Sequence, residues 1–214
     1  IDYLAVSGHK FHALPGCGAL FVRKGTPYRP LIRGGNQERG RRAGTENVPG
    51  IVSMGAAARC INEHLDADIK RQTELRDMLQ SGLLAKLDNV IVNGDEQSRL
   101  CNTLNVGFEF VEAEAVLLML DAAGVAASSG SACESGSLET SHVLRAMGVP
   151  FTAIHGSVRF SLSRYTTAAE VGALVDSTVK IVRRLREISP FGREKPAPKK
   201  PGDLEAHKAY FATT

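Results

Sequence analysis

The chain has 214 residues, 43% of them hydrophobic and 23% charged, with a net charge of +3. This is the composition of an ordinary globular protein with room for roughly one to two domains. The charge is too small, and the basic residues too little interleaved with aromatics in a chain without tryptophan, to argue for nucleic acid. No apolar run approaches the ~20 residues of a membrane span. The four cysteines, Cys17, Cys60, Cys101 and Cys133, form no CxxC pair, which argues against a zinc site. The thiols read as reduced and the protein as cytoplasmic. The chain opens at Ile1, without methionine, directly on a strand-like run, as the C-terminal part of a longer protein would.

Residues 2–6 read as a short buried strand, with SGHK at its end, where α/β enzymes place their chemistry. Lys10 there suits a Schiff-base lysine, provided that partial desolvation or nearby positive charge keeps the amine neutral. A solvated surface lysine is the alternative. Ser7 and Thr45 each sit beside a glycine and can give a hydroxyl to a phosphate, or serve only as turn residues. His9 and His12 lie in a loop and are not read as metal ligands. Residues 16–22, GCGALFV, form a second strand. The glycine- and arginine-rich segment 24–47 has no apolar period, and such a length without regular structure is usually functional or interfacial. Its RGRRAG run reads as a solvated or subunit-facing loop rather than an anion site.

Pro49 opens a helical region, with apolar residues at Met54, Ala58, Ile61 and Leu65 and again at Leu75, Leu79 and Leu83. It is expected to be one long helix or a broken pair. Residues 90–92 and 102–110 read as strands. Residues 112–123 are apolar nearly all round, which predicts a buried helix ended by Gly124. A brief strand over 125–127 is expected next. It delivers SSGSACESGS (128–137), in which five serines and two glycines surround Cys133. Such a stretch makes a poor helix and a poor strand but a good mobile loop. A cysteine there can be exposed and can travel, or can be a small hydrophobe in a turn.

Residues 142–147 predict a short helix stopped by Gly148 and Pro150, and His142 and His155 read as structural. SVRFSL (157–162) alternates as an antiparallel strand does. Arg159 on it can hold a carboxylate with two parallel bonds, or be a surface strand arginine. Thr167 and Glu170 form a capping box. Val171, Leu174, Val175, Thr178, Ile181, Val182 and Leu185 then share one helix face, opposite Lys180, Arg183, Arg184 and Arg186. After Pro190 the proline- and lysine-rich tail reads as disordered or loosely docked.

Four stretches, in unbroken order, resemble the cysteine desulfurases of the NifS/IscS type, which are fold-type I pyridoxal-phosphate enzymes of the class-V aminotransferase family. They are SGHKFHALPGCGALFVRKG (7–25), GGNQERGRRAGTENVPGI (34–51), EAVLLMLDAAGVAASSGSACESGSLETSHVLRAMGVP (114–150) and HGSVRFSLSRYTT (155–167). The REISP ending (186–190) is closest to the NifS branch. The resemblance implies an α/β fold, with the end of the large cofactor-binding domain over 1–64 and the small C-terminal domain over 65–190. The tail is 191–214. It implies that Lys10 holds pyridoxal 5'-phosphate covalently and that Ser7 and His9 bind its phosphate. Thr45 would reach the phosphate in the other subunit of a homodimer. Arg159 would bind the carboxylate of substrate L-cysteine, and Cys133 would attack its sulfur.

The persulfide so formed on a mobile loop would be passed to an iron–sulfur scaffold protein. No metal, nucleic acid or membrane is implied. Glu134 stands where the family commonly has a small hydroxyl residue, and its charge would raise the pKa of the neighbouring thiol. The family draws further cofactor contacts from an N-terminal half, so the 214 residues alone are expected to be inactive. The alternatives are another fold-type I enzyme, a selenocysteine lyase or an aminotransferase, and a truncated non-catalytic module that dimerises or docks a scaffold.

Overall fold

The computed structural model describes residues 1–129 and 140–189. The Cys133 loop and the tail beyond Pro190 lie outside the described residues. The chain divides into two compact units between Asp68 and Ile69.

In the first unit β1 (Tyr3–Ser7) pairs antiparallel with β2 (Gly18–Val22), from Tyr3 opposite Val22 to Ser7 opposite Gly18. A 3-10 turn, Gly8–Phe11, follows β1 and ends at His12, whose φ of 72° is left-handed. The expected burial of the first strand is not found: Tyr3, Leu4, Leu20 and Phe21 are each about half exposed, at 47–55%. β1 and β2 form a sheet of two strands only, and apolar side chains alternating to both of its faces need a layer on each side. The segment after β2 is irregular apart from α1 (Gln37–Gly40), a single turn in which Glu38 and Arg39 take left-handed φ values of 52° and 58°. From it α2 (Val48–Lys86) runs unbroken for 39 residues and crosses the division between the units.

The second unit is built on a sheet of order β3-β4-β6-β5, antiparallel throughout. Its strands are β3 (Val90–Val92), β4 (Thr103–Phe108), β5 (Ser128–Ser129) and β6 (Ser157–Ser161). Leu104, Val106 and Phe108 of β4 and Val158 and Phe160 of β6 point to one face. There they meet Leu75, Leu79 and Leu83 of α2 and Leu87 just past its end, Val116 and Leu120 of α3 (Ala113–Ala122), and Val171, Val175, Val179 and Val182 of α6 (Ala168–Ile188). Helices thus cover one face of the sheet in two packed layers. No helix among the described residues is long and apolar enough to cross a membrane.

The capping box is present: Glu170 N donates to Thr167 Oγ1 at 3.2 Å and Thr167 N to Glu170 Oε2 at 2.7 Å. Two expectations change. Helix α3 is not buried all round, because a helix laid on a sheet hides one stripe: Val116 and Leu120 are inside, while Leu118 is 73% exposed. The strand expected over 125–127 instead begins three residues later, at Ser128–Ser129, where the backbone pairs with β6. Gly124 does end α3, with φ 79°. Two short helices, α4 (His142–Ala146) and α5 (Phe151–Ile154), lead into β6, and the second was not foreseen.

Candidate active site

In the first unit the turn after β1 carries Ser7, His9 and Lys10 within four residues, all three exposed. Ser7 Oγ and His9 Nδ1 are hydrogen-bonded at 3.0 Å across Gly8. Gly8 is the inside corner. Its N–H donates to the Cys17 carbonyl at 2.9 Å, and a Cβ there would stand 2.8 Å from Cys17 Sγ and 3.2 Å from Ala13 Cβ. Only glycine lets the turn fold this tightly on the start of β2. Two residues missed in the sequence lie nearby, one holding the segment after the turn and one capping the helix that follows. Ser53 Oγ accepts from Leu14 N at 2.9 Å, and Asn47 Oδ1 accepts from Gly50 N at 3.1 Å, which closes the first turn of α2. Cys17 is structural here: its thiol donates to the Leu14 carbonyl at 3.0 Å.

Thr45 is exposed on an arch of the irregular segment. Arg42 Nη1 donates to the Gly44 carbonyl at 2.8 Å, and Gln37 Oε1 accepts from Gly44 N at 3.2 Å. Gly44 has φ 101°, a conformation costly for any side chain.

In the second unit Arg159 sits mid-strand on β6, half-buried, on the sheet face turned away from the core. Val158 and Phe160 beside it go into the core, and period-2 alternation puts the guanidinium opposite. Its cross-strand neighbours are Asn105 on β4 and Ser128 on β5. Asn93 extends the row, because its N–H donates to the Asn105 carbonyl at 2.9 Å. The polar face therefore carries one row: Asn93 just past β3, Asn105 on β4, Arg159 on β6 and Ser128 on β5. No described residue pairs with the Arg159 guanidinium. Helix α5 covers the Gly107–Ser157 end of this face, where Ser157 is 2% exposed. Asn93 and Asn105 were not singled out from the sequence, where they stand twelve residues apart.

His155 stands edge-on to Phe151, with centroids 4.7 Å apart and planes at 70°. Its Nε2 is buried without a partner among the described residues, and we have no physical account of that. Cys133 lies outside the described residues.

The chain is 58% identical over 194 residues to "Cysteine desulfurase 2" of Trichormus variabilis, covering 91% of this chain and 48% of that protein. It is 52% identical over 191 residues to "Cysteine desulfurase NifS" of Azotobacter vinelandii, covering 89% and 48%. Among solved structures, a NifS-like protein superposes with a TM-score of 0.77 at 37% identity, over 86% of this chain and 47% of that one. A NifS-like protein from Rickettsia africae gives 0.76 at 30% identity, over 86% and 48%. The chain thus spans about half the length of the curated relatives it matches. The family model for class-V aminotransferases matches residues 1–174, and the chain belongs to that family.

Proposed function

We propose that the protein of which this chain forms about half is a pyridoxal-phosphate-dependent cysteine desulfurase. It would convert L-cysteine to L-alanine and leave the sulfur on Cys133. The observation that carries this reading is the turn at the end of β1, which holds an amine, a hydroxyl and an imidazole within four exposed residues. Relatives named as cysteine desulfurases at 52–59% identity support it.

The donor set of that turn fits the cofactor. A primary amine, Lys10, condenses with an aldehyde, while the Ser7–His9 pair, joined by its own hydrogen bond, keeps one proton for a phosphate: the Ser7 hydroxyl when His9 Nδ1–H donates to it, or the His9 Nε2–H when the hydroxyl donates to Nδ1. Thr45 is proposed as a further phosphate donor, contributed to the other subunit of a homodimer. Pyridoxal phosphate, when bound, withdraws electrons from the substrate's α-carbon. The Lys10 amine would carry the α-proton. Arg159 binds the substrate carboxylate as a planar two-donor fork.

The Cys133 thiolate attacks the substrate's sulfur. An S–S bond forms as the Cβ–S bond breaks, and the carbon keeps the electron pair and takes a proton. Alanine leaves, and the persulfide is passed on, with an iron–sulfur scaffold protein as the proposed acceptor.

The test is mass spectrometry of the full-length protein incubated with L-cysteine. One added sulfur on Cys133, stoichiometric alanine, and loss of both in Cys133→Ser are expected. Alanine production that survives Cys133→Ser overturns the mechanism.

A further inference from the structure

We infer that Asn105 is a second reader of the substrate carboxylate, held donor-outward beside Arg159 by a hydrogen-bond relay that begins at a backbone carbonyl. The inference rests on the reading of Arg159 given above. Asn105 lies directly opposite Arg159 in the β4–β6 register. An asparagine there could present either its oxygen or its nitrogen, and the relay decides which.

The Ala153 carbonyl can only accept. Ser157 Oγ donates its one proton to it, at 2.9 Å. Ser157 Oγ must then accept from its other neighbour, Asn93, which lies 3.0 Å away through Nδ2. So Asn93 presents its amide nitrogen to this cluster. The same Nδ2 donates its second proton to Asn105 Oδ1 at 2.7 Å. The oxygen of Asn105 is thereby committed, and its Nδ2, with two donors, meets no described residue.

Asn105 and Arg159 together make a patch with donors only. A guanidinium that grips a carboxylate through two parallel bonds leaves each oxygen with an unused lone pair. A neighbouring amide N–H can serve one of them. The pair disfavours cationic groups and groups that only donate, because neither side chain has an acceptor to offer there, and the guanidinium favours an anion over a neutral acceptor. The group selected is a compact anion on a small amino acid.

The test uses the full-length holoenzyme and two thiol substrates, L-cysteine and L-cysteine methyl ester, which lacks the carboxylate charge. Asn105→Ala should raise KM for L-cysteine about tenfold or more, the loss of one hydrogen bond to a charged group, with kcat changed far less. Asn105→Asp is isosteric and still accepts from Asn93, so the relay and the fold survive. It places a carboxylate against Arg159, and KM should rise further than in Asn105→Ala. For the methyl ester, Asn105→Asp should leave KM unchanged or lower it.

Arg159→Ala is the reference. If it raises KM for L-cysteine and neither Asn105 variant does, this inference fails while the reading of Arg159 stands. If Arg159→Ala leaves KM unchanged, the carboxylate is not on this face and both fail. An equal rise for cysteine and its ester in the Asn105 variants would mark a structural role and overturns the inference.

Discussion

Replacing Gly156 by alanine should break the strand register on which Arg159 depends. Gly156 immediately precedes β6, and its carbonyl accepts from Phe108 N at 3.0 Å. A Cβ built on it lies 2.0 Å from the Phe108 carbonyl oxygen and 2.8 Å from that of Val111. Both are main-chain atoms, so no rotamer change relieves the contact. Carbon and oxygen in close packing stay about 3.3 Å apart, so β6 or the end of β4 must move by about 1 Å or more. Overpacking costs about 1–3 kcal/mol where side chains can adjust. Here the backbone has to adjust, beside Phe108, which is fully buried at the centre of the core. The expected loss is therefore about 3 kcal/mol or more.

Urea denaturation measures it. With a slope of about 1–3 kcal/mol per molar, the midpoint should fall by roughly 1 M or more. Gly172→Ala is the internal control. Gly172 lies inside α6, and the nearest atom to its Cβ is Met78 Cε at 4.0 Å, an ordinary contact at the end of a flexible side chain. Alanine is favoured over glycine in a helix interior by about 1 kcal/mol, so this variant should be stabilised. The same chemical change thus has opposite signs at two glycines sixteen residues apart. A wild-type midpoint in Gly156→Ala, or a parallel shift in both variants, refutes the steric reasoning.

Leu83→Ala, at a fully buried position of α2, should cost about 2–5 kcal/mol by the same denaturation assay. Arg186 donates to the carbonyls of Asp88, Asn89 and Glu109, and Arg186→Lys, which cannot span all three, should lower stability by about 1–2 kcal/mol. Thr167→Ala removes the N-cap of α6 and should cost about 1 kcal/mol. Glu170 in the same cap has its carboxyl held below the ordinary glutamate range by the Thr167 N–H first and the Thr167 hydroxyl second. A depressed folded pKa contributes stability above the unfolded pKa of about 4.3 and loses it as pH falls through the folded value. Glu170→Gln should flatten that part of the acid limb of a stability–pH profile, and an unchanged limb would count against the cap.

What was legible in the sequence was what local chemistry decides. Val90–Val92 stood out as a β-branched run, the Thr167 cap needed only residues three apart, and the α6 face followed from a 3.6 period. Lys10 at a strand end was legible for the same reason, since the turn is built from adjacent residues. What was not legible depends on partners far along the chain. β5 is placed by pairing with β6, some thirty residues later, so a propensity reading put it three residues early. Leu118 was misjudged because composition does not say which stripe of α3 meets the sheet. Ser53 holds the segment after the Lys10 turn across a gap of 39 residues that no motif spans. The Asn93–Asn105–Ser157 relay joins three segments and became visible only with the register. Asn93 and Asn105 lie outside all four stretches that carry the family resemblance.

Strand β6 carries both the core and the proposed carboxylate site, and this ties stability to recognition. Val158 and Phe160 are buried on one side, and Arg159 between them faces the other. A slip of one residue in the β4–β6 pairing would turn the guanidinium into the apolar core and the two hydrophobes out. Burying an unpaired guanidinium costs several kcal/mol, on top of the lost apolar burial, so the slipped state is excluded. Gly156 admits the close approach of β6 to Phe108, and Ser157 begins the relay that orients Asn105. Arg159, Asn105 and the core are therefore set by one choice of register. A substitution that loosens it, even one distant from any reacting atom, should weaken binding at the proposed carboxylate site before it unfolds the chain.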